Sequence, residues 1–310
     1  MADYLCLDGG TTNTRITLVS DGNIIDVSSY NIGATKSIGN GSVLRKTIKN
    51  GINDILNRNP NCKNRIARIL ASGMITGEYG LCELPHIALP VSLLDLKNSI
   101  YEIKIPDISD IPFAFIRGVK EDSKTLETAD IMRGEETELA GLFRGAGIYI
   151  LLGSHSKIID VNEDGIVENF KTMLTGEMIS AIADNTILNG AVNMSISETN
   201  ERFLMYGFKY TEENGINDAL FKVRILNNIF KRSPVEIYNF YIGTILCNEI
   251  VYILKHNASK IILGGNRVIK THMSALLNNL SNAEIYVVSD EEAKNAPAIG
   301  AVRIYEYSEK

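Results

Sequence analysis

Between positions 4 and 30, short apolar runs are broken by small polar turns. Residues 4–7 are continuously apolar, 14–20 and 23–30 alternate, and Asp21-Gly22 separates the last two. Period-two alternation with an Asp-Gly break predicts three strands joined by hairpins. A helical period follows over 42–56, then a strand over 65–71 leading into Ser72-Gly73-Met74-Ile75. Prolines at 85, 90, 106 and 112 predict a loop-rich stretch before a strand at 113–119 and a helix at 135–143. The opening pattern then returns: an apolar run at 147–152, a polar turn at 153–157, strands at 158–161 and 166–171, and a second Asp-Gly turn between them. Helical periods are expected over 176–188, 216–230 and 235–255. A strand at 260–263 ends in Gly264-Gly265-Asn266, and a helix, a strand at 284–288 and a helix near 296–305 close the chain. A repeated meander followed by alternating strands and helices makes the class α/β with mixed sheets.

The turn Asp8-Gly9-Gly10-Thr11-Thr12-Asn13 carries the first candidate chemistry. Two glycines let the backbone come close to an anion, the threonines add hydroxyl donors, and Asp8 could hold Mg²⁺ through water. The same residues also suit an ordinary Gly- and Thr-rich hairpin turn. No Gly-Lys-Ser/Thr follows, so this is not a Walker loop. At 310 residues the chain suits two domains, expected over 1–145 and 146–310. A formal net charge of −6 argues against nucleic acid or an anionic membrane as partner. The opening residues lack a signal-peptide pattern, and Cys6, Cys62, Cys82 and Cys247 form no CxxC pair. They are expected to be buried free thiols of a cytoplasmic protein.

Five stretches in order, Asp8–Asn13, Ser72–Ile75, Asp130–Thr137 (Asp-Ile-Met-Arg-Gly-Glu-Glu-Thr), Gly153–Lys157 (Gly-Ser-His-Ser-Lys) and Leu174–Glu177, carry a resemblance. The chain resembles the 2-dehydro-3-deoxygalactonokinases, within the sugar kinase/Hsp70/actin-like ATPase fold. The resemblance implies two actin-like (ribonuclease H-like) domains facing each other across a nucleotide cleft. It also implies phosphorylation of the terminal hydroxyl of 2-dehydro-3-deoxy-D-galactonate by ATP with Mg²⁺. Alternatives are a kinase of the same fold acting on another sugar or sugar acid, or an ATP-binding regulatory protein. Partners would be small molecules, with neither nucleic acid nor membrane, and a homodimer is compatible with it. Departures are Gly9 where the family usually has Trp, Leu152 where it has Pro, and Thr76-Gly77-Glu78 where it tends to place an Arg.

Under this resemblance Asp8 orients the metal, and Gly10, Thr11, Thr12 and Asn13 hold phosphate oxygens. Gly153, Ser154, His155, Ser156 and Lys157 form the second phosphate turn, with Lys157 as a point charge. Gly264, Gly265 and Asn266 contact adenosine. Gly73, Met74, Arg133 and Glu177 bind the sugar acid, Arg133 as a carboxylate clamp. Glu135 accepts the proton of the sugar hydroxyl. Helical periodicity places Glu135 and Glu136 on either flank of the inward face and does not choose between them.

Overall fold

The computed structural model describes residues 2–38, 41–122 and 125–308. Two compact units emerge: Met1–Ala146 with Val161–Phe170 and Glu291–Lys310, and Gly147–Asp160 with Lys171–Asp290. The first contains β1 (Asp3–Gly9), β2 (Thr14–Ser20), β3 (Asn23–Tyr30), α1 (Ser42–Arg58) and β4 (Ile66–Gly73). Then come β5 (Ile87–Ala88), α2 (Leu93–Asn98), β6 (Tyr101–Ile105), β7 (Ser109–Phe115), β8 (Val119–Glu121), β9 (Asp130–Met132) and α3 (Glu135–Leu142). Its main sheet has the order β3-β2-β1-β4-β7-β6. β1 to β3 are an antiparallel meander, while β4 runs parallel to β1 and β7 parallel to β4. β1 reads as an unbroken apolar run because both its faces are covered. Leu5 and Leu7 join Ile16, Leu18, Ile48 and Ile52, while Cys6 on the other face donates to Ala298 O at 3.5 Å.

The meander and α1 lie where the sequence predicts them. Between β3 and α1 the chain holds a 3₁₀ turn at Ala34–Ser37, and residues 39 and 40 lie outside the described residues. The proline-rich region is more ordered than its composition suggests. Instead of one strand over 113–119 there is a hairpin, β6–β7, followed by the separate β8. Pro112 sits inside β7 at a register shift, between the pairs Ile103↔Phe113 and Ile105↔Ser109. A proline that cannot donate to a ladder is tolerated at such an irregularity.

The remaining elements are β10 (Gly147–Leu152), β11 (Ser156–Val161), β12 (Val167–Met173), α4 (Thr175–Asn185), α5 (Glu201–Asn214), α6 (Ile216–Asn228), α7 (Pro234–Lys255), β13 (Lys260–Gly265), α8 (Arg267–Leu280), β14 (Glu284–Val287) and α9 (Asp290–Glu306). The second sheet, β12-β11-β10-β13-β14, repeats the order of the first, with β10 parallel to β13 and β13 to β14. α5 has no counterpart in the sequence reading, although Phe203, Leu204, Phe208 and Thr211 are buried at helical spacing. It crosses α7 at Gly207 and Gly243, where an added Cβ would collide with the carbonyls of Phe240 and Leu204. α9 begins six residues before its predicted start, because Pro297, which reads as a helix-opening residue, lies inside it. α7 is long and apolar enough to cross a membrane by length and composition, and 78% of its most apolar window is buried. All four cysteines are free; Cys6 and Cys247 are buried, and Cys62 and Cys82 are half-buried.

Candidate active site

In the first unit, the carboxyl ends of the parallel strands β1 and β4 meet the start of α3. Register pairs Asp8 with Ser72 and Gly9 with Gly73. Gly73 has φ +79°, and a Cβ there would lie 2.5 Å from Gly9 O and 3.4 Å from Asp8 Oδ1. Gly134, φ +111°, caps α3 and packs against Gly73. Thr137, fully buried, donates to Gly134 O at 2.6 Å and lies 3.3 Å from Ser72 Oγ. Only glycine allows both the positive φ and this approach. Open ends of parallel strands beside a helix N-terminus are where α/β folds commonly bind ligands.

Four carboxylates gather here. Burial raises the pKa of Asp8, Arg15 opposes that, and Glu135 adds to it. Burial pushes Glu138 up to about 8, with Glu135 and Asp8 adding to the rise and Arg15 opposing it. Glu136 is 1% exposed, and both its oxygens accept from Gly134 N–H, at 2.9 and 2.8 Å. Burial first, then Glu135, raise it to about 8. Glu135 is half-buried, with Oε2 accepting from Arg133 N–H at 2.9 Å. Asp130 is turned onto its own strand, its Oδ1 accepting from Ile131 N–H at 2.8 Å. Sequence reasoning missed Arg15 and Glu138. Arg15 is the register partner of Asp8 across the hairpin, and Glu138 lies one helical turn beyond Glu135.

Among the described residues, no group of three or more His, Cys, Asp or Glu side chains is placed to hold a metal ion. Mg²⁺ needs no such cage, being commonly held by one or two carboxylates, water and substrate phosphates. Asp8 fits that manner of binding, since a cation would relieve the burial and repulsion that raise its pKa.

A raised folded-state pKa makes stability fall as pH rises. For Glu136 the stabilisation is complete below about 4.5 and is lost as pH passes through about 8. The melting temperature is therefore expected to drop between about pH 5 and about pH 9, and Glu136→Gln should flatten that slope. An unchanged slope in the variant would place the titration elsewhere.

The loop around Gly73 departs from expectation at Arg133. Its Nη1 donates to Thr76 O and Thr76 Oγ1, both at 2.6 Å, and its Nη2 lies 3.0 Å from Leu84 O and 3.3 Å from His86 Nδ1. Four of five guanidinium donors are thus engaged, and Arg133 braces the loop instead of offering the fork that a carboxylate clamp requires. His86 beside it is lowered to about 4 by burial and by the charges of Arg133 and Lys120. Met74 opens the 3₁₀ turn Met74–Thr76, and the exposed Glu78 hydrogen-bonds to Tyr79. Arg117, just after β7, extends the register Ala71↔Phe115 to the level of Gly73, and its buried Nε has no partner.

In the first turn Thr11, Thr12 and Asn13 are exposed, while the carbonyls of Gly10 and Thr11 are tied to the amides of Ala34 and Thr35. Gly10 N–H closes the hairpin onto Asn13 O at 2.8 Å, so this donor, expected on phosphate, is already used.

In the second unit the turn after β10 packs on the start of α4. Glu177 N–H donates to Ser154 O at 3.0 Å, and a Cβ on Gly176 would strike Gly153 O. Glu177 pairs with His155 at 3.2 Å. Glu177 thus groups with the second turn, while Gly73, Met74 and Arg133 belong to the other unit. Ser156 and Lys157 do not project from the turn. Both are buried strand residues, with Lys157 Nζ donating to Thr172 Oγ1 at 2.8 Å. Gly265, φ +87°, lies against the Leu152 carbonyl, which also accepts from Asn266 N–H at 2.6 Å. Asn266 caps α8 through Val268 and Ile269 N–H. A cavity of about 640 Å³ brings Gly153, Ser154, Glu177 and Asn266 together. One wall is the polar face of α4, with Ser180, Asp184 and Asn185; the other is apolar, with Tyr238, Ile242 and Val268. Volume and mixed lining suit a small-molecule ligand with an apolar part and a polar part.

A curated relative from Rhizobium meliloti (strain 1021), carrying the name 2-dehydro-3-deoxygalactonokinase, is 29% identical over 196 residues, 61% of this chain and 59% of that protein. The alignment therefore spans less than two thirds of that relative's length. The crystal structure of a protein described as a 2-dehydro-3-deoxygalactonokinase, from Sinorhizobium meliloti, matches with TM-score 0.76 at 24% identity, over 97% of this chain and 98% of that one. The activator of 2-hydroxyisocaproyl-CoA dehydratase from Clostridium difficile, solved with bound ADPNP, matches with TM-score 0.53 at 12% identity, over 98% and 95%. These likenesses give the fold, that of the actin-like ATPases and sugar kinases. The model of one family, 2-keto-3-deoxy-galactonokinase, matches residues 8–298, from the turn at Asp8 to the middle of α9, and the chain belongs to that family.

Proposed function

We propose that the chain is an ATP-dependent sugar-acid kinase, transferring the γ-phosphoryl group to the terminal hydroxyl of 2-dehydro-3-deoxy-D-galactonate to give the 6-phosphate. The family match over residues 8–298, which takes in Asp8, the start of α3 and the turn at Gly153, carries this reading. In it the second unit holds the nucleotide. Its phosphates lie against residues 153–155 and the first turn of α4, and its adenosine takes the cavity beside Asn266. The polar face of α4 suits ribose hydroxyls, and Tyr238 and Ile242 suit the base. The first unit handles the acceptor. Glu135, its carboxylate fixed by Arg133 N–H, takes the proton from the sugar hydroxyl as the oxygen attacks. Asp8 would hold Mg²⁺ through water; when bound, the ion neutralises charge on the phosphoryl oxygens.

The acid end of the substrate goes to Arg117 in this reading, because Arg133 is engaged in the loop and Arg117 Nε has no partner. Arg117→Ala is expected to raise KM for the sugar acid by about ten- to a hundredfold, the worth of a charge-assisted hydrogen bond, with KM for ATP unchanged. Arg133→Ala is expected to show chiefly as a lower melting temperature, because it strands the acceptors at Thr76 and Leu84. Equal KM effects from both variants would remove the distinction. The activity itself is tested by following ADP formation with a panel of keto-deoxy sugar acids, and by identifying the phosphorylated carbon of the product. ATP hydrolysis that is indifferent to sugar acid would replace the kinase with a nucleotide-dependent regulator.

A further inference from the structure

Among the described residues, the second unit buries one carboxylate, Glu249, in the middle of α7 at 1% exposure. Thr175, the first residue of α4 and itself 4% exposed, donates its hydroxyl to Glu249 Oε2. Ser156, the first residue of β11 and fully buried, has its hydroxyl close enough to favour the Glu249 anion. Neither Ser156 Oγ nor Glu249 Oε1 has a hydrogen-bond partner. Buried polar atoms without partners are uncommon in native proteins, and a buried carboxylate short of partners is unfavourable. Both hydroxyls lie one residue behind the cavity wall. Gly176 and Glu177 follow Thr175, and residues 153–155 precede Ser156.

We propose that Glu249 is a positioning residue for nucleotide phosphate. Through Thr175 it fixes the start of α4 beside the turn at residues 153–155, and its charge lies behind the anion that this turn receives. The proposal rests on reading the cavity as the nucleotide site. A negative charge behind a phosphate subsite weakens binding, and a neutral carboxyl does not. The protonated form is therefore the binding form, and bound phosphate favours it further.

Burial pushes Glu249 up to about 7, while the hydroxyls of Thr175 and Ser156 act the other way. Several titratable groups on the elements around it have partners of their own. On α4, Glu177 pairs with His155; on β11, Lys157 donates to Thr172; on α6, Lys222 pairs with Asp218. On α8, Lys270 pairs with Asp290 and His272 bonds to Val268 O; on α5, Glu212 acts on Cys247. No charged side chain figures among the influences on Glu249.

The test compares ADP affinity of wild type and Glu249→Gln at about pH 6 and about pH 8.5, by calorimetry on the full chain, with kcat and KM for ATP alongside. The nucleotide's own titration is common to both proteins and cancels in the comparison. The expected result is that wild type loses about tenfold more affinity than Glu249→Gln over that range, the effect of a coupling worth one pKa unit. Glu249→Leu, which abandons Thr175, should bind ADP more weakly at both pH values, and Gln should restore binding. Equal pH slopes in wild type and Glu249→Gln overturn the proposal and leave the kinase reading intact. No ADP binding by wild type at either pH overturns the proposal together with its reading of the cavity.

Discussion

Glu135→Gln is expected to lower turnover by about 10²- to 10⁴-fold, the usual contribution of a positioned general base, with ADP affinity unchanged. The substitution conserves shape, and an amide oxygen can still accept the Arg133 N–H that holds Glu135 Oε2. Loss of folding is therefore not the expected route to loss of rate. The neighbours are less suited to the role. Glu136 has both oxygens on Gly134 N–H and is 1% exposed, and Asp130 bonds to its own strand. Glu138, raised to about 8, is largely protonated near neutrality and a poorer proton acceptor. Single-turnover rates measured with saturating sugar acid check the prediction. Near-normal turnover in Glu135→Gln, with loss in Glu138→Gln, would move the base one helical turn along α3.

Gly176→Ala should abolish nucleotide binding while leaving the first unit folded. A Cβ at this position would strike the Gly153 carbonyl and approach Ser154 Cα to 3.0 Å, and both are backbone atoms that no rotamer change can move aside. Either α4 or the turn must shift, and overpacking against backbone commonly costs about 1–3 kcal/mol or more. The shift also breaks Glu177 N–H to Ser154 O, the bond joining the two pieces of the cavity wall. ADP calorimetry reads the loss, and the circular dichroism spectrum should stay close to wild type. ADP affinity within threefold of wild type, on the order of 0.6 kcal/mol, would show that the wall tolerates the methyl group.

The strands and turns that carry this site were readable because they obey local rules. Alternation fixed the hairpin around Asp8, and the meander at 147–171 repeated it. Asn266 was legible as the residue after an apolar strand and proves to be the cap of α8. What stayed hidden depends on long-range packing. Nothing local marks Arg133 as a brace, since its partners at Thr76, Leu84 and His86 lie 47 to 57 residues away in the chain. Lys157 looks like an exposed charge until Thr172 on the neighbouring strand receives it. The cavity was equally invisible, because its apolar wall comes from α7 and α8, remote in sequence from its polar face on α4. Two signals were available and unused: counting the hairpin register places Arg15 opposite Asp8, and one helical turn separates Glu135 from Glu138.

The last helix has a consequence for how the chain is made. The first unit includes Glu291–Lys310, and α9 reaches its sheet and α3: Ala298 O accepts from Cys6, and Gly300 packs against the Thr137 carbonyl. On a ribosome adding about 5–20 residues per second, the strands around Asp8 emerge first and wait roughly 15 s to a minute for α9. Until α9 arrives the face of β1 bearing Cys6 lacks its cover, whereas the second unit needs no residue beyond Asp290. A chain ended after Asp290 keeps every residue of the second unit but loses this cover, and its first sheet should bind a hydrophobic dye that the full chain does not.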